Sequence, residues 1–368
     1  TGAWGEDRPL PPAHVTARGM SGYFRLRTQA RSRNDTGRVR SVATAGNPWP
    51  GWDPTRWTGT MSTPPAAQPT AARHPAAAQV LIDFVPTKAF FVGIDSDGCA
   101  FDAMDIKHQE CFTPTTIKHW HLQAASTLAR ETAIFVNLGS TTRGQNRWIA
   151  LARVFELLAQ RPEVAARGVT VPAGDELNAF ITSGYPLSDK GIEDYAAAHP
   201  GPEIERCIEW GKAVNAAIAD MVHGCPPFPG VREAFEAMQA EVDCMTVSAT
   251  PMEALEREWH EHGLAPYMKV IAGQEMGTKA QHIEYAAKGK YADDHILLIG
   301  DAPGDRDSAA KTGVLYYPIN PGHEAASWAR FTAEALPRFL AGTYAGDYQA
   351  ALIAEFEALL PATPPWQR

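Results

Sequence analysis

The sequence has no apolar run of the roughly 18 residues that a membrane-spanning helix needs, so no membrane partner is expected. It also has no Cys-x-x-Cys pair. Its five cysteines, Cys99, Cys111, Cys207, Cys225 and Cys244, are odd in number and scattered along the chain. That argues against a disulfide framework and against a structural zinc site. No short apolar stretch sits behind a basic start, as a secretory leader would require, so a reducing, cytoplasmic setting is expected. An excess of positive charge is missing too: the formal net charge is -9. A nucleic-acid partner would call for clustered Lys and Arg, so none is expected. Lysine does not occur before Lys88, yet residues 1–60 carry nine Arg against four acidic residues, a net of +5 that leaves -14 for the remainder.

That basic opening is rich in Pro, Gly, Ala, Thr and Arg and shows no helical or strand period. Such a segment cannot bury enough apolar surface to offset its ordering entropy, so residues 1–80 are expected to be disordered. The first residue is Thr, and Met61 opens Met61-Ser62-Thr63-Pro64. Residues 1–60 read equally as translated upstream sequence or as a genuine basic tail. The rest of the 368 residues is long enough for a sizeable core, and a 45% hydrophobic content is that of a globular protein.

Four short apolar runs stand out, three of them ending at polar residues. They are Ala89–Ile94 before Asp95, Val242–Val247 before Ser248, His295–Gly300 before Asp301, and Val314–Ile319. Short, mainly apolar runs of this length predict strands buried on both faces of a parallel sheet. Helical patterns at 231–240, 252–262, 279–288 and 305–312 alternate with them, which predicts an α/β, three-layer, Rossmann-like core. Residues 103–227 differ, because helical patterns at 114–131, 146–160, 189–198 and 202–222 dominate them. Lying after the first strand, they predict an inserted α-helical cap domain. The expected organisation is a core of residues 84–102 and 228–345, a cap of 103–227, and a helix with a tail over 346–368.

Ligands of open α/β sheets bind outside the carboxyl ends of the strands. Asp95 and Asp97, Ser248, and Asp301 with Asp305 all fall at such ends. Carboxylates gathered there repel one another, and a hard divalent cation such as Mg²⁺ relieves that repulsion while accepting a phosphate oxygen. Phosphoryl transfer needs the same parts: an in-line nucleophile, charge neutralisation and a proton donor.

Asp95-Ser96-Asp97-Gly98, with Phe101-Asp102 beyond it, resembles the first motif of the haloacid dehalogenase superfamily. Val247-Ser248-Ala249-Thr250-Pro251 resembles the second, Lys279 the third, and Gly300-Asp301-Ala302-Pro303-Gly304-Asp305 the fourth. All four occur in family order. The resemblance implies that Asp95 attacks phosphorus to form an aspartyl-phosphate. It implies that Asp97 protonates the leaving oxygen and then activates water. Ser248, Ala249, Gly98 and Lys279 would line the phosphate, with Lys279 also neutralising Asp95. Asp95, the backbone carbonyl of Asp97, Asp301 and Asp305 would hold Mg²⁺. An acid at Asp97 separates phosphate esters from the family's halide and phosphonate chemistry, where that acid is absent.

The expected function is therefore a Mg²⁺-dependent phosphatase acting on a small phosphorylated metabolite. A phosphomutase of the β-phosphoglucomutase type would use the same motifs, which do not separate the two. A non-catalytic metal-binding regulatory module is the alternative from another class, and it has no need for Asp97. Plainer roles compete for single residues. Ser248, Asp301 and Asp305 suit helix N-termini, Lys269 and Lys288 rival Lys279, and Asp307 is expected on the exposed side of its turn. His119 with His121, and His260 with His262, are spaced two apart and would not share a helix face. Cys99 and Cys111 read as small buried hydrophobes. In the cap, the polar stretch Asn137–Arg147 joins two helical patterns. Arg143 and Arg147 there suit an anionic or hydroxyl-rich leaving group, against a plain turn with Asn146 as N-cap.

Overall fold

A computed structural model describes residues 75–367. The expectations for residues 1–74, Met61 included, fall outside the described residues. Residues 75–80, expected to be disordered, instead run from a 3-10 turn, Ala76–Ala78, into a helical turn, Gln79–Ile82. Ala78 and Leu81 are buried in one apolar cluster with Ile283, Ala286 and Tyr291. Lys290 Nζ then donates to the carbonyls of Leu81, Ile82 and Phe84 at 2.8–2.9 Å, satisfying groups that a helix end leaves open.

Five strands form one parallel sheet: β1 Phe90–Ile94, β2 Val242–Val247, β3 Ile271–Ala272, β4 Ile296–Gly300 and β5 Leu315–Pro318. Their order is β3-β2-β1-β4-β5. The four predicted strands are present. The fifth, β3, has only two residues, too few for any periodicity to mark. Alternate side chains enter two cores. Phe91, Met245, Val247, Ile296 and Leu298 face one helical layer. Val92, Ile94, Cys244, Leu297 and Ile299 face the other. Pro318 sits in edge strand β5, where a missing N–H breaks no ladder bond on the open side.

β1 is central and pairs with β2 on one side and β4 on the other. The chain fills one side of β1 first and then crosses to the other, so the sheet's switch point lies between β1 and β4. Ligand crevices form at such points. Ile94 pairs with Ile299, and Asp95 N donates to Ile299 O at 3.0 Å. Asp95 and Asp301 therefore leave the sheet side by side.

Between β1 and the next core helix the chain is helical. It runs through Met104–Ile106, a π-helical stretch Lys107–Phe112, α1 Thr113–His119, α2 Ser126–Asn137, α3 Arg147–Ala159, α4 Asp175–Thr182, α5 Asp189–Ala198 and α6 Pro202–Met221. This insert has its own apolar cluster around Trp120, Trp148, Phe155, Phe180 and Trp210. The helix predicted over 114–131 is in fact two. It breaks at Trp120, and His121 takes a left-handed φ of 54°. Trp120 and Leu122 are both buried; two residues apart on one continuous helix they would point to nearly opposite sides. The break lets both enter the insert's core. Asn146 does N-cap α3, its Oδ1 accepting from Trp148 N at 3.0 Å.

The core layers follow: α7 Val231–Met238, α8 Met252–Glu261, α9 Lys279–Ala286, α10 Pro303–Thr312, α11 Glu324–Arg330 and α12 Asp347–Leu359. Among the described residues no helix is long and apolar enough to cross a membrane.

Candidate active site

Asp95 leaves β1 almost wholly buried, at 6% exposure. Its Oδ1 accepts from Ser96 N at 2.8 Å and its Oδ2 lies 2.6 Å from Lys279 Nζ. Lys279 opens α9, whose N-cap Thr278 forms a capping box with Gln281, and this fixes the Lys279 backbone beside the strand ends. The same ammonium donates to Asp305 Oδ1 at 2.5 Å. Asp305 Oδ2 accepts from Ala302 N at 3.1 Å in the first turn of α10. It thus plays the N-capping role open to it and still reaches Lys279. Gly300 is required here, since a Cβ at that position would lie 2.4 Å from Asp305 Cγ.

Asp301 ends β4. Its Oδ2 accepts from Arg143 Nη2 at 2.6 Å and Nε at 2.8 Å, and the same Nε also reaches the Asp301 carbonyl at 3.0 Å. Arg143 Nη1 returns to Leu138 O at 2.9 Å. The arginine is buried and comes from the insert, between α2 and α3. Asp301 Oδ1 is buried with no hydrogen-bond partner.

Oxygens of Asp95, Asp301 and Asp305 lie within 4.8 Å of one another. Burial pushes Asp95 up to about 6 against the pull of Lys279, with Asp305 adding to the rise. Burial likewise pushes Asp301 up to about 6 against Arg143, and raises Asp305 against Lys279. Burial opposes the charge of Lys279, but Asp305 and Asp95 outweigh it and hold the ammonium protonated. Three carboxylates thus face two cations, with one carboxylate oxygen unpartnered. A hard dication with oxygen ligands fits that donor set, and the orphaned Asp301 Oδ1 is the atom it would satisfy.

Asp97 sits in the turn after β1. Ser96 O accepts from the backbone N–H groups of Cys99, Ala100 and Phe101, and Gly98 takes φ 78°. A Cβ on Gly98 would lie 2.6 Å from Asp301 Oδ2 and 2.8 Å from Arg143 Nη2, so only glycine allows this approach. Asp97 Oδ1 pairs with Lys107 Nζ at 2.5 Å, and Oδ2 accepts from Thr250 Oγ1 at 2.7 Å. Burial alone would raise Asp97, but Lys107 and these hydrogen bonds outweigh it and hold the carboxyl below its usual range.

Ser248 is buried at the end of β2, its Oγ accepting from Thr250 N at 3.2 Å, and Ala249 beside it is exposed. Thr250 and Lys107 were not singled out in the sequence. Thr250 lay in full view two residues after Ser248, whereas Lys107 carries no motif and is recognised only by what it touches. Ser96 Oγ donates to Glu258 Oε2 at 3.2 Å and accepts from Trp259 Nε1 at 3.0 Å. Burial pushes Glu258 up to about 7, with Asp97 adding to the rise and Lys107 opposing it.

Other candidates lie elsewhere. Arg147 stays within the insert, bonded to Asn215 Oδ1 at 2.8 Å with its guanidinium over Phe112. Lys269 pairs with Asp243 and Lys288 with Asp293. Asp307 is exposed, beside Arg306. Cys99 and Cys111 are buried thiols, both raised by burial, which disfavours the reactive thiolate.

Two cavities meet at Arg143. One of 480 Å³ includes Gly98, Asp102, Asp105, Arg143 and Leu360 in its wall. The other, of 540 Å³, includes Arg143, Gly144, Arg306, Glu357 and Leu360.

No family model matches the sequence, and no curated protein matches it either. Solved structures do. A haloacid dehalogenase-like family hydrolase from Streptococcus pneumoniae is 16% identical, with a TM-score of 0.38, over 66% of this chain and 92% of its own. A provisionally named phosphoglycolate phosphatase from Lactobacillus delbrueckii is 16% identical, with a TM-score of 0.41, over 67% and 92%. A provisionally named β-phosphoglucomutase from Bacteroides vulgatus is 14% identical, with a TM-score of 0.38, over 72% and 92%.

Proposed function

We propose that this chain is a Mg²⁺-dependent phosphatase of the haloacid dehalogenase type, hydrolysing a small phosphorylated metabolite through an aspartyl-phosphate on Asp95. One arrangement carries the reading. Asp95 is held on Lys279 next to the unpartnered Oδ1 of Asp301, while two residues on, Asp97 is held by Thr250 and by a lysine of the insert.

In this reading an Asp95 oxygen attacks phosphorus and the ester oxygen departs with a proton from Asp97. Asp97 then removes a proton from the water that opens the acyl phosphate. Asp97, ionised on Lys107 in the resting site, first takes the proton it donates on Oδ1 from solvent or from an entering phosphate monoanion as Lys107 gives up this oxygen. Lys279 neutralises Asp95 before attack and the phosphoryl oxygens during it. Asp95, Asp301 and the Asp97 carbonyl, backed by Asp305, would hold Mg²⁺, which supplies charge neutralisation at the phosphoryl group. Ser248 would contribute its hydroxyl to a phosphate oxygen. The helical insert serves as the cap.

The purified chain with Mg²⁺ should release phosphate from an aryl phosphate, and EDTA should stop it; an inert preparation sinks the reading. Burial of Asp95, beside an Asp301 held by Arg143 of the insert, favours one rival, a phosphomutase that keeps water from the aspartyl-phosphate. Incubation with hexose 1-phosphates decides between them, because isomerised sugar phosphate as the main product would replace the hydrolase.

A further inference from the structure

The chain joins the core to the insert three times. Two of these are the entry after β1 and the return from α6 to α7. The third lies after α12. That helix belongs to the core: Gln349 Oε1 accepts from Tyr316 N at 2.9 Å, the Phe356 ring lies 6.2 Å from Tyr316, and Glu355 accepts from Arg330 and Asn320. Past Leu360, which is buried, the chain crosses through Pro361-Ala362-Thr363-Pro364-Pro365 to the insert. There the Trp366 ring meets Phe135 edge-on at 5.5 Å, and the Arg161 guanidinium carbon lies 4.5 Å over it. Gln367 Nε2 donates to Gln160 Oε1 at 2.8 Å. Arg161 is itself tied down by Glu131 Oε2 at 2.8 Å.

This crossing has little slack. Three of the five bridging residues are proline, which fixes φ and stiffens the path. It also runs beside the site, since Leu360 lines both cavities at Arg143 and one of them reaches Gly98. Without it the insert would rest on its entry, its return and the Arg143–Asp301 and Lys107–Asp97 pairs, and could tilt about them away from the strand ends. Anchored a third time at Trp366, it stays seated, and the cavities beside Arg143 become the way in.

We propose that Trp366 is a positioning residue that clamps the insert over Asp95 and thereby confines the site to small phosphate esters, those that can enter through the cavities beside Arg143. The substrate part of this rests on the phosphatase reading, while the clamp itself does not.

The test uses the full chain with Trp366→Ala, Trp366→Phe, and a third variant carrying four Gly-Ser residues inserted after Ala362. The insertion keeps every side chain and adds roughly 12 Å of reach. Amide hydrogen exchange over residues 98–107 and 139–147 reads the clamp without catalysis. It should speed up about tenfold in Trp366→Ala and in the insertion variant, and return toward wild type in Trp366→Phe. Steady-state kinetics on p-nitrophenyl phosphate and on the bulkier 4-methylumbelliferyl phosphate read selectivity. The ratio of kcat/KM, bulky over small, should rise about tenfold in the same two variants, mainly through KM. Unchanged exchange in the insertion variant overturns the clamp, even if Trp366→Ala folds poorly. Faster exchange with an unchanged ratio overturns the selectivity. A wild-type chain inert toward both esters counts against the phosphatase reading, and exchange still decides the clamp.

Discussion

Arg143 Nη2 lies 2.6 Å from Asp301 Oδ2, and the two side chains are 4% and 1% exposed. The arginine comes from the insert and the aspartate from the end of β4, so a buried ion pair spans the two. Arg143→Met leaves Asp301 buried without its cation. Loss of one partner of such a pair costs about 3–5 kcal/mol. Urea unfolding in EDTA should show a loss of that order, and millimolar Mg²⁺ should shrink it, since a dication near Asp301 replaces the missing charge. An equal loss with and without Mg²⁺ would place the cation elsewhere.

Asp95→Asn should lower turnover of an aryl phosphate by about a thousandfold or more, as loss of a nucleophile does. Folding should survive. The substitution removes one of three mutually repelling carboxylates and leaves Lys279 on Asp305 Oδ1 at 2.5 Å. Phosphate release in a continuous assay and a thermal melt check both halves, and wild-type activity in the variant would remove Asp95 from its role.

Mg²⁺ should stabilise the native chain in proportion to its occupancy. A ligand at a hundred times its Kd adds about 2.7 kcal/mol, so thermal melts should move upward with Mg²⁺ and return with EDTA. Asp301→Asn should blunt that response. A melt indifferent to Mg²⁺ would leave the carboxylate cluster without its ion.

Asp243 predicts an acid limb of stability. This carboxylate, inside β2, accepts from Thr87 N at 2.7 Å, Thr87 Oγ1 at 2.5 Å, Lys88 N at 2.9 Å and Tyr291 Oη at 2.8 Å. Burial opposes its charge, and the bonds from Thr87, Tyr291 and Lys88 outweigh it, so its pKa falls below 3.8. A depressed carboxyl stabilises the fold above its unfolded pKa and loses that contribution as pH falls through the folded value. Asp243→Asn should therefore cost about 2 kcal/mol at pH 7, and the gap from wild type should close below about pH 4. Urea melts across that range test it, and a gap that widens in acid would reverse the sign.

His121, at φ 54°, occupies backbone space that a β-branched residue tolerates poorly. His121→Val should cost about 1–2 kcal/mol, while His121→Gly should be nearly neutral. Chemical denaturation of the two variants tests whether the break after α1 is the source of the difference.

Much of the core was legible because its signals are local. A short apolar run marks a buried strand, and four such runs predicted β1, β2, β4 and β5, two of them ending at Asp95 and Asp301. Lys279 stood out only by its order among the motifs, yet it is the lysine that reaches Asp95. What stayed hidden depends on distant parts of the chain. The partner of Arg143 is 158 residues away, so the loop suggested a substrate contact where the fold makes an internal ion pair. Lys107 meets Asp97 because the chain turns back at Gly98, and no spacing rule announces that. The division of the 114–131 pattern into two helices follows from the insert's packing around Trp120 and Leu122. Trp366 ends a proline-rich stretch that read as a plain tail, and Phe135 and Arg161 give it a destination.

The central place of β1 has a temporal consequence. Its register partners are Val242–Thr246 and Ile296–Ile299, so an apolar strand made early waits for neighbours translated some 150 to 200 residues later. At ribosomal speeds of roughly 5–20 residues per second, that wait is on the order of ten seconds or more. The helical insert, which has an apolar cluster of its own, can fold during the interval. Phe90–Ile94 meanwhile offers two unpaired edges to any neighbouring nascent chain. Solubility during synthesis should thus depend on how quickly residues 242–300 emerge, and slow translation there would favour aggregation over the native sheet.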